Sequence, residues 1–190
     1  MTLSKFGDTI PKGQSSWRLL SSNFIVTAPD GFCVDGASLK DTSKASFVLM
    51  ADCAALSSKN RKVDQSRSVL LTVTISAPLE SAGSVTPRAL EQFFGTEQGR
   101  TVLSRDSDAA TVSATMEKVG NDTLILHIYD SAPTNIEGLA QEDWRAFTVI
   151  NNRLVTLSAA PFEGVTARNS NAKTLVIQLT HLLQVENLAQ

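Results

Sequence analysis

Two tight turns between β-rich stretches constrain the fold of this chain more than any other feature. The stretches 111–120 and 123–131 are rich in β-branched and apolar residues, and Gly120, Asn121 and Asp122 separate them. The stretches 144–150 and 153–162 flank Asn151 and Asn152 in the same way. Gly, Asn and Asp permit the backbone of short hairpin turns, so both pairs are predicted to be antiparallel hairpins.

Three further extended segments precede these hairpins. They are 22–35, which turns at Pro29-Asp30-Gly31, then 46–53, and 68–78. Between residues 68–78 and the first hairpin, Thr86-Pro87 is typical of a helix start. Gly95 is expected to end that helix, and Thr96 to cap a second short one.

The C-terminal stretch 171–187 has the periodicity of an amphipathic helix, with Ser170 expected at its N-cap. Its apolar stripe consists of Leu175, Val176, Leu179, Leu182 and Leu183. The order of elements therefore predicts an α+β fold with an antiparallel sheet of six to seven strands. A mid-chain helical region and the C-terminal helix are expected to cover one face of that sheet.

Length and charge restrict the class of protein. The chain has 190 residues, is 42% hydrophobic and carries a net charge of -2, which is typical of a single domain. We expect a flexible lead-in over residues 1–16 and one domain over residues 17–190. The pI near 5.7 disfavours nucleic-acid binding. The basic residues Lys59, Arg61, Lys62 and Arg67 are interpreted as a solvated loop.

No apolar run is long enough to span a membrane, and none of signal-peptide length begins the chain. The protein is expected to be periplasmic or otherwise extracytoplasmic after removal of a signal or anchor, and the alternative is a cytoplasmic protein.

Cys33 and Cys53 are the two cysteines of the chain and allow three interpretations. Together with His127 and His181 they have the side chains needed for a tetrahedral zinc site. Structural zinc sites use closely spaced pairs of ligands, however, and no two of these four are close in sequence. A catalytic thiol on Cys33 paired with His127 is a second possibility, although Asp35 and Asp52 would raise a thiol pKa nearby.

A disulfide is the interpretation that the sequence favours, provided that the protein is outside the reducing cytosol. Cys33 and Cys53 end consecutive extended segments that could pair antiparallel. A disulfide between them would close a loop of about 20 residues and stabilise the fold by about 3 kcal/mol, because it restricts the unfolded chain.

The common sequence motifs for catalysis and cofactor binding are absent from the chain. The chain has no G-x-S-x-G, P-loop or G-x-G-x-x-G sequence. Ser170 and Lys173 form an S-x-x-K, but Ser170 is better interpreted as a helix cap. The sequence therefore predicts no catalytic residue, metal ligand or cofactor.

The connection 131–144 is long for a link between sheet strands, and long loops are often functional. Ile136, Leu139 and Trp144 provide apolar anchors among acidic residues, which is a common composition of docking surfaces. We therefore predict partner binding there. The alternative is that Ile136 and Leu139 fold back onto the core.

The stretches "FIVTAPDGFCVD" and "RAFTVINNRLVTLSAAPF", the latter followed by an amphipathic helix, resemble the Mog1/PsbP-like family of α+β domains. The resemblance spans about residues 17–188 and concerns the order of elements. The stretches "GFCVD…FVLMADC" and "WRAF…NRLVTLS" also look like uncharacterised bacterial envelope proteins. The family resemblance implies an accessory, docking or assembly module and brings no active-site residues.

These observations lead to one principal hypothesis and two alternatives. The principal one is a non-enzymatic, extracytoplasmic binding or accessory domain with an unknown protein partner. The alternatives are a small thiol-dependent hydrolase using Cys33 with His127, and a cytosolic chaperone-like module with free thiols.

Overall fold

The computed structural model describes residues 14–57, 67–134, 136–164 and 168–188. Most of the predicted lead-in, and Lys59, Arg61 and Lys62 of the basic cluster, lie outside the described residues. The strands are β1 (Ser16–Leu19), β2 (Phe24–Thr27), β3 (Phe32–Val34), β4 (Lys40–Asp41), β5 (Ala45–Asp52), β6 (Val69–Pro78), β7 (Val112–Val119), β8 (Thr123–Asp130), β9 (Glu142–Ile150) and β10 (Arg153–Pro161). The helices are α1 (Cys53–Leu56), α2 (Pro87–Phe94), α3 (Glu97–Leu103) and α4 (Arg168–Leu188).

The described residues form one large antiparallel sheet and one small hairpin. The large sheet has the order β3-β5-β6-β10-β9-β8-β7, with β4 also paired to β5, and β1 pairs with β2 separately. The α+β class and the antiparallel sheet predicted from the sequence are confirmed. The sheet has eight strands instead of six to seven. The two-residue strand β4 is too short to show a periodic pattern.

Both predicted hairpins are present, and their turns have the expected backbone. Asn151 and Asn152 have φ of 48° and 60°, and they join β9 to β10. Gly120, at 63°, ends β7 before β8 begins. These left-handed conformations match the right-handed twist of the flanking strands, which is why Asn and Gly occupy them.

Helix α4 packs against β9, β10 and β2 on one face of the sheet. Its side chains Val176, Leu179 and Leu183 are fully buried in the main core, as the apolar stripe predicts. The helix begins at Arg168, so Ser170 lies in its first turn and not at its N-cap.

The buried side chain of Asn187 ties the small β1–β2 hairpin to α4. Its amide accepts a hydrogen bond from the Ile25 N–H and donates one to the Ile25 carbonyl, each at 2.8 Å. These two hydrogen bonds satisfy the backbone N–H and carbonyl of Ile25, and they keep β2 against the helix.

Helices α2 and α3 cover the opposite face of the sheet. Phe94 and Leu103 pack there against Leu124, Leu126 and Phe147. The expectation that both helical regions cover one face is therefore wrong. Residues 123–126 of β8 are buried on both faces of the sheet, and the nearly continuous apolar sequence there is typical of such strands.

The caps predicted for α2 and α3 are confirmed. The hydroxyl of Thr86 accepts from the Ala89 N–H, and that of Thr96 from the Gly99 N–H. Gly99 also allows the two helices to touch, because a Cβ there would lie 2.0 Å from the Phe93 carbonyl oxygen. No helix in the described parts of the chain combines the length and apolarity needed to cross a membrane.

Candidate functional site

A disulfide bond joins Cys33 and Cys53. Cys33 lies in β3, opposite Ala51 of β5, and Cys53 directly follows β5, so antiparallel pairing brings the two residues together. Their Cα atoms are 4.9 Å apart, which is within the usual range for disulfides. Since these are the only cysteines of the chain, this form of the protein has no thiol.

Beside the disulfide, the carboxylate of Asp52 is only 3% exposed, and its charge is balanced. It accepts hydrogen bonds of 2.7 Å from the Ala54 N–H and from Nε of Arg67. The ion pair compensates the desolvation of the carboxylate. Asp52 therefore serves to end β5 and to start the short helix α1.

The sheet order separates Cys33 from His127. Strands β5, β6, β10 and β9 lie between β3 and β8, so the two residues are five strand spacings apart. At about 4.8 Å per spacing this is about 24 Å, far beyond the reach of a proton transfer. The hypothesis of a hydrolase using Cys33 with His127 is therefore wrong.

His127 and His181 occupy separate places. The Nε2 atom of His127 is 3.2 Å from the Glu142 carboxylate, whereas His181 is on the exposed side of α4. His181 lines a groove of about 230 Å³ between α4 and the β7–β8 hairpin, together with Ile177 and Gln184. In the described residues, no group of three or more His, Cys, Asp or Glu side chains is placed to hold a metal.

The predicted docking segment 131–144 begins at a buried carboxylate. Asp130 is 1% exposed and accepts hydrogen bonds from the N–H groups of Arg105, at 2.7 Å, and Ala132, at 2.9 Å. The Arg105 guanidinium in turn donates to the carbonyl of Ala140 at 2.9 Å. One side chain from each of two chain segments thus holds the two ends of the loop.

The Arg105 backbone is itself positioned by a compact turn. The Ser104 hydroxyl donates to the Asp106 carboxylate at 2.6 Å, and the Asp108 N–H donates to the same oxygen at 3.1 Å. These two bonds, with Ser104 contributing most, hold the pKa of Asp106 below its usual value. The turn therefore prefers the ionised carboxylate.

The middle of the loop is paired with the end of β10. The Ala140 N–H donates to the Pro161 carbonyl at 2.8 Å, and the Glu163 N–H donates to the Gly138 carbonyl at 2.7 Å. Leu139 forms an isolated bridge with Phe162 between these two bonds. Residues 138–140 thus extend the backbone pairing beyond the end of the sheet. The loop is held there by residues 161–163 and at its ends by Asp130 and Arg105.

The three predicted anchors differ in their surroundings. Ile136 is 43% exposed, whereas Leu139 is half-buried at its bridge. Trp144 is not in the loop but in β9, partly buried against the main core. Its ring stacks on His127 at 4.3 Å between centroids, and Nζ of Lys173 lies 5.3 Å from the Trp144 centroid.

Trp144 is held by stacking and not by hydrogen bonding. Its indole N–H is buried and has no hydrogen-bond acceptor in the described portion of the chain. His127 covers the ring because the two residues are directly opposite in the β8–β9 pairing. The stacking on His127 therefore restricts the Trp144 ring without a hydrogen bond to its indole N–H.

Sequence reasoning missed the exposed Tyr129 at the end of β8. Its hydroxyl donates to Oε1 of Gln141 at 2.6 Å, and its side chain is 47% exposed. It also missed Glu163, which is exposed and bonded to the loop. The alternation of β8 places Tyr129 on the same face as His127, but the contact of Glu163 with Gly138 depends on the tertiary structure.

No family model and no curated protein matches this chain. Among solved structures, it is similar to cyanobacterial PsbP (CyanoP) from Synechocystis sp. PCC 6803, with 16% identity, 94% of this chain and 96% of that chain covered, and a TM-score of 0.46. It is also similar to the extracellular domain of PknH from Mycobacterium tuberculosis, with 10% identity, 77% and 67% coverage, and a TM-score of 0.32.

A structure from Bacteroides thetaiotaomicron has 12% identity and a TM-score of 0.42, over 85% of this chain and 46% of that chain. This chain therefore spans less than half of the Bacteroides protein. The first of the three structures is a PsbP protein, and the order of elements in the sequence resembles the Mog1/PsbP-like fold. At these identities the likeness concerns the fold alone.

Proposed function

We propose that this protein is a non-enzymatic domain that binds a protein partner outside the reducing cytosol. The binding surface is the segment 131–144, with Ile136 as its apolar centre. The observation that carries this proposal is a loop that is held from both sides and still exposes a large apolar side chain.

The restraint of the loop matters because ordering a loop on binding opposes association. Binding commonly costs about 0.5–1.5 kcal/mol for each side chain that becomes immobilised, in addition to the ordering of the backbone. Arg105 and Asp130 restrain the ends of this loop, and Glu163 restrains its middle. Much of the ordering cost is therefore met on folding, which favours a binding role over a merely connecting one.

The predicted anchors contribute differently to the proposed surface. Ile136 would insert into the partner, since 43% of its side chain is exposed. Leu139 would keep the loop in place through its bridge to Phe162. Trp144 would support the adjoining sheet face, where its ring stacks on His127.

The disulfide supports the proposed location. Disulfides persist in oxidising compartments and are rare in the cytosol. Cys33 and Cys53 are the entire cysteine content of the chain and are paired with each other. This arrangement favours an extracytoplasmic protein over the cytosolic chaperone-like module with free thiols.

Site-specific photocross-linking in the native cell tests the proposal. A benzophenone amino acid would replace Ile136 and, as a control, Leu20, which is 82% exposed between β1 and β2. Leu20 lies at the other end of the sheet, because the adjoining Ser21 N–H donates to Asp41 beside the start of β5. We expect a discrete cross-linked protein from position 136 and none from position 20. The purified partner should then lose at least tenfold in affinity for Ile136→Ser at an unchanged melting temperature.

Two results would contradict the proposal. One is the absence of any specific product at position 136. The other is a partner whose affinity is the same for Ile136→Ser and for the unchanged protein.

A further inference from the structure

Exposed apolar and acidic side chains adjoin one another at the turn 136–139. Ile136 and Glu137 are both exposed, and Gly138 turns the chain with φ of 75°. The Glu163 N–H donates to the Gly138 carbonyl at 2.7 Å. Two exposed glutamates, Glu137 and Glu163, therefore lie on neighbouring segments of the chain on either side of Gly138, and Ile136 is next to Glu137.

Among the described side chains, none balances the negative charges of Glu137 and Glu163. Neither forms an ion pair with any residue in the described ranges. Other acidic residues near this loop have partners within the protein. Asp143 pairs with Arg145, Glu142 lies 3.2 Å from Nε2 of His127, and Asp130 accepts two backbone N–H groups.

We propose that the partner contacts this surface through a basic and apolar protein segment, in which Lys or Arg residues alternate with large apolar side chains. This inference rests on the proposed function and specifies the chemistry of its partner. Apolar side chains of the segment would cover Ile136 and the exposed ring of Tyr129. Its cationic groups would approach Glu137 and Glu163.

Charge complementarity selects this partner over the alternatives. An acidic segment would place like charges together, which costs binding energy and slows association. Anionic lipid surfaces and nucleic-acid phosphates would be repelled by the same two glutamates. A wholly apolar segment would leave the glutamates beside desolvated surface with no compensating charge.

The magnitudes assign different roles to the two kinds of group. Exposed ion pairs contribute little to affinity because water and salt screen them, whereas an apolar side chain that is buried on binding contributes more. Ile136 and Tyr129 therefore supply most of the affinity. Glu137 and Glu163 determine which segments bind, and they make binding sensitive to salt.

Two capped octapeptides test this inference: one alternates lysine and leucine, and the other alternates glutamate and leucine. Amide chemical shifts of the isotopically labelled protein would be followed by NMR as each peptide is added. We expect the lysine peptide to shift the amides of 136–139 and of Glu163, and the glutamate peptide to leave them unchanged. Raising the salt concentration from 0.05 to 0.5 M, roughly a threefold shortening of the Debye length, should weaken the lysine peptide severalfold.

Charge-reversed variants supply the matched control. The double change Glu137→Lys/Glu163→Lys should weaken binding of the lysine peptide at least tenfold. Glu80→Lys should leave it unchanged, because Glu80 is exposed beyond the far end of β6. The length of β9, with nine residues, separates the two ends of the sheet by about 30 Å. Equal melting temperatures would show that the variants fold.

Three results would overturn the inference: equal binding of both peptides, shifts that do not include 136–139, or equal losses for the double variant and Glu80→Lys. A partner cross-linked at position 136 whose affinity is unchanged by the double charge reversal would also refute the basic chemistry, but not the proposed function. Absence of any cross-link at position 136 would refute the proposed function itself.

Discussion

Two segments at the same end of the sheet are held in place by different means. The segment 33–53 is closed by a covalent bond between β3 and the residue after β5. The segment 131–141 joins β8 to β9. It donates a hydrogen bond to the Asp130 carboxylate, accepts one from the Arg105 guanidinium and forms two more with residues 161–163. Strands β6 and β10 separate the two segments across the sheet.

The two devices act on different states of the protein. A disulfide stabilises mainly by restricting the unfolded chain, so its effect is spread over the whole fold. A buried carboxylate acts in the folded state, because its loss leaves specific N–H groups without an acceptor. Loss of the disulfide should therefore lower global stability. Loss of the Asp130 carboxylate should lower stability and also alter the local structure of the loop.

The largest effect is expected for Asp130→Ala. Two N–H groups, of Arg105 and Ala132, would lose a charged acceptor in a buried site, at about 1.5–3 kcal/mol each. We expect the free energy of unfolding to fall by about 3–5 kcal/mol, as measured by urea denaturation. The amide signals of 131–141 should also shift.

Asp108→Ala is a suitable control for Asp130→Ala. Asp108 also accepts a hydrogen bond from a backbone N–H, that of Ala110, but in an exposed turn. Its removal should cost only about 1 kcal/mol. Equal losses for the two variants would mean that the burial of Asp130 has no special importance.

The next largest effect is expected for removal of the disulfide. Cys33→Ala/Cys53→Ala should lower the free energy of unfolding by about 3 kcal/mol, because the closed loop spans a sequence separation of 20. Amide signals of 131–141 should stay unchanged, in contrast to those of Asp130→Ala. Disturbed signals in that loop would show that the two devices are coupled.

Mass spectrometry of the exported protein provides the matching chemical test. The unreduced protein should be lighter than the reduced one by two hydrogen atoms, and it should take up no alkylating reagent. Two alkylated cysteines in protein recovered from an oxidising compartment would refute the Cys33–Cys53 disulfide.

A smaller effect is expected for Gly138→Ala. The φ of 75° at Gly138 places an alanine in the left-handed region, which costs about 1–2 kcal/mol. Thermal unfolding should detect a small decrease, and exchange of the Glu163 amide hydrogen should become faster. Gly83→Ala is the control, since Gly83 has no atoms within 4 Å of the added methyl group and no positive φ. A loss of stability equal to that of Gly83→Ala would mean that the turn is not restrained.

Part of the candidate site could be predicted from the sequence. The length of 131–144 and its mixture of Ile136 with acidic residues identified the loop as the surface to consider. The sequence also placed Trp144 there, but the structure assigns this residue to β9. Strand ends are difficult to locate from sequence because the alternating pattern fades where one face becomes exposed. The restraint by Arg105 comes from a distant segment and leaves no local signal.

In β5, the sequence alone does not show which face of the strand is buried more deeply. Phe47 and Leu49 share one face of this strand, whereas Val48 and Met50 on the other face are the fully buried pair. Both faces carry apolar side chains, so periodicity alone cannot decide between them. The decision depends on α4, whose side chains lie in the same core as Val48 and Met50.

By itself, the sequence determined the elements whose signals are local. The Asn151–Asn152 turn requires positive φ, Thr86 and Thr96 cap the helices that follow them, and the leucines of α4 repeat at helical spacing. The tertiary structure alone decided the placement of α2 and α3 on the face opposite α4, the separation of Cys33 from His127, and the contact of Glu163 with the loop. These outcomes depend on strand order and on packing between distant segments, which contribute no pattern to neighbouring residues.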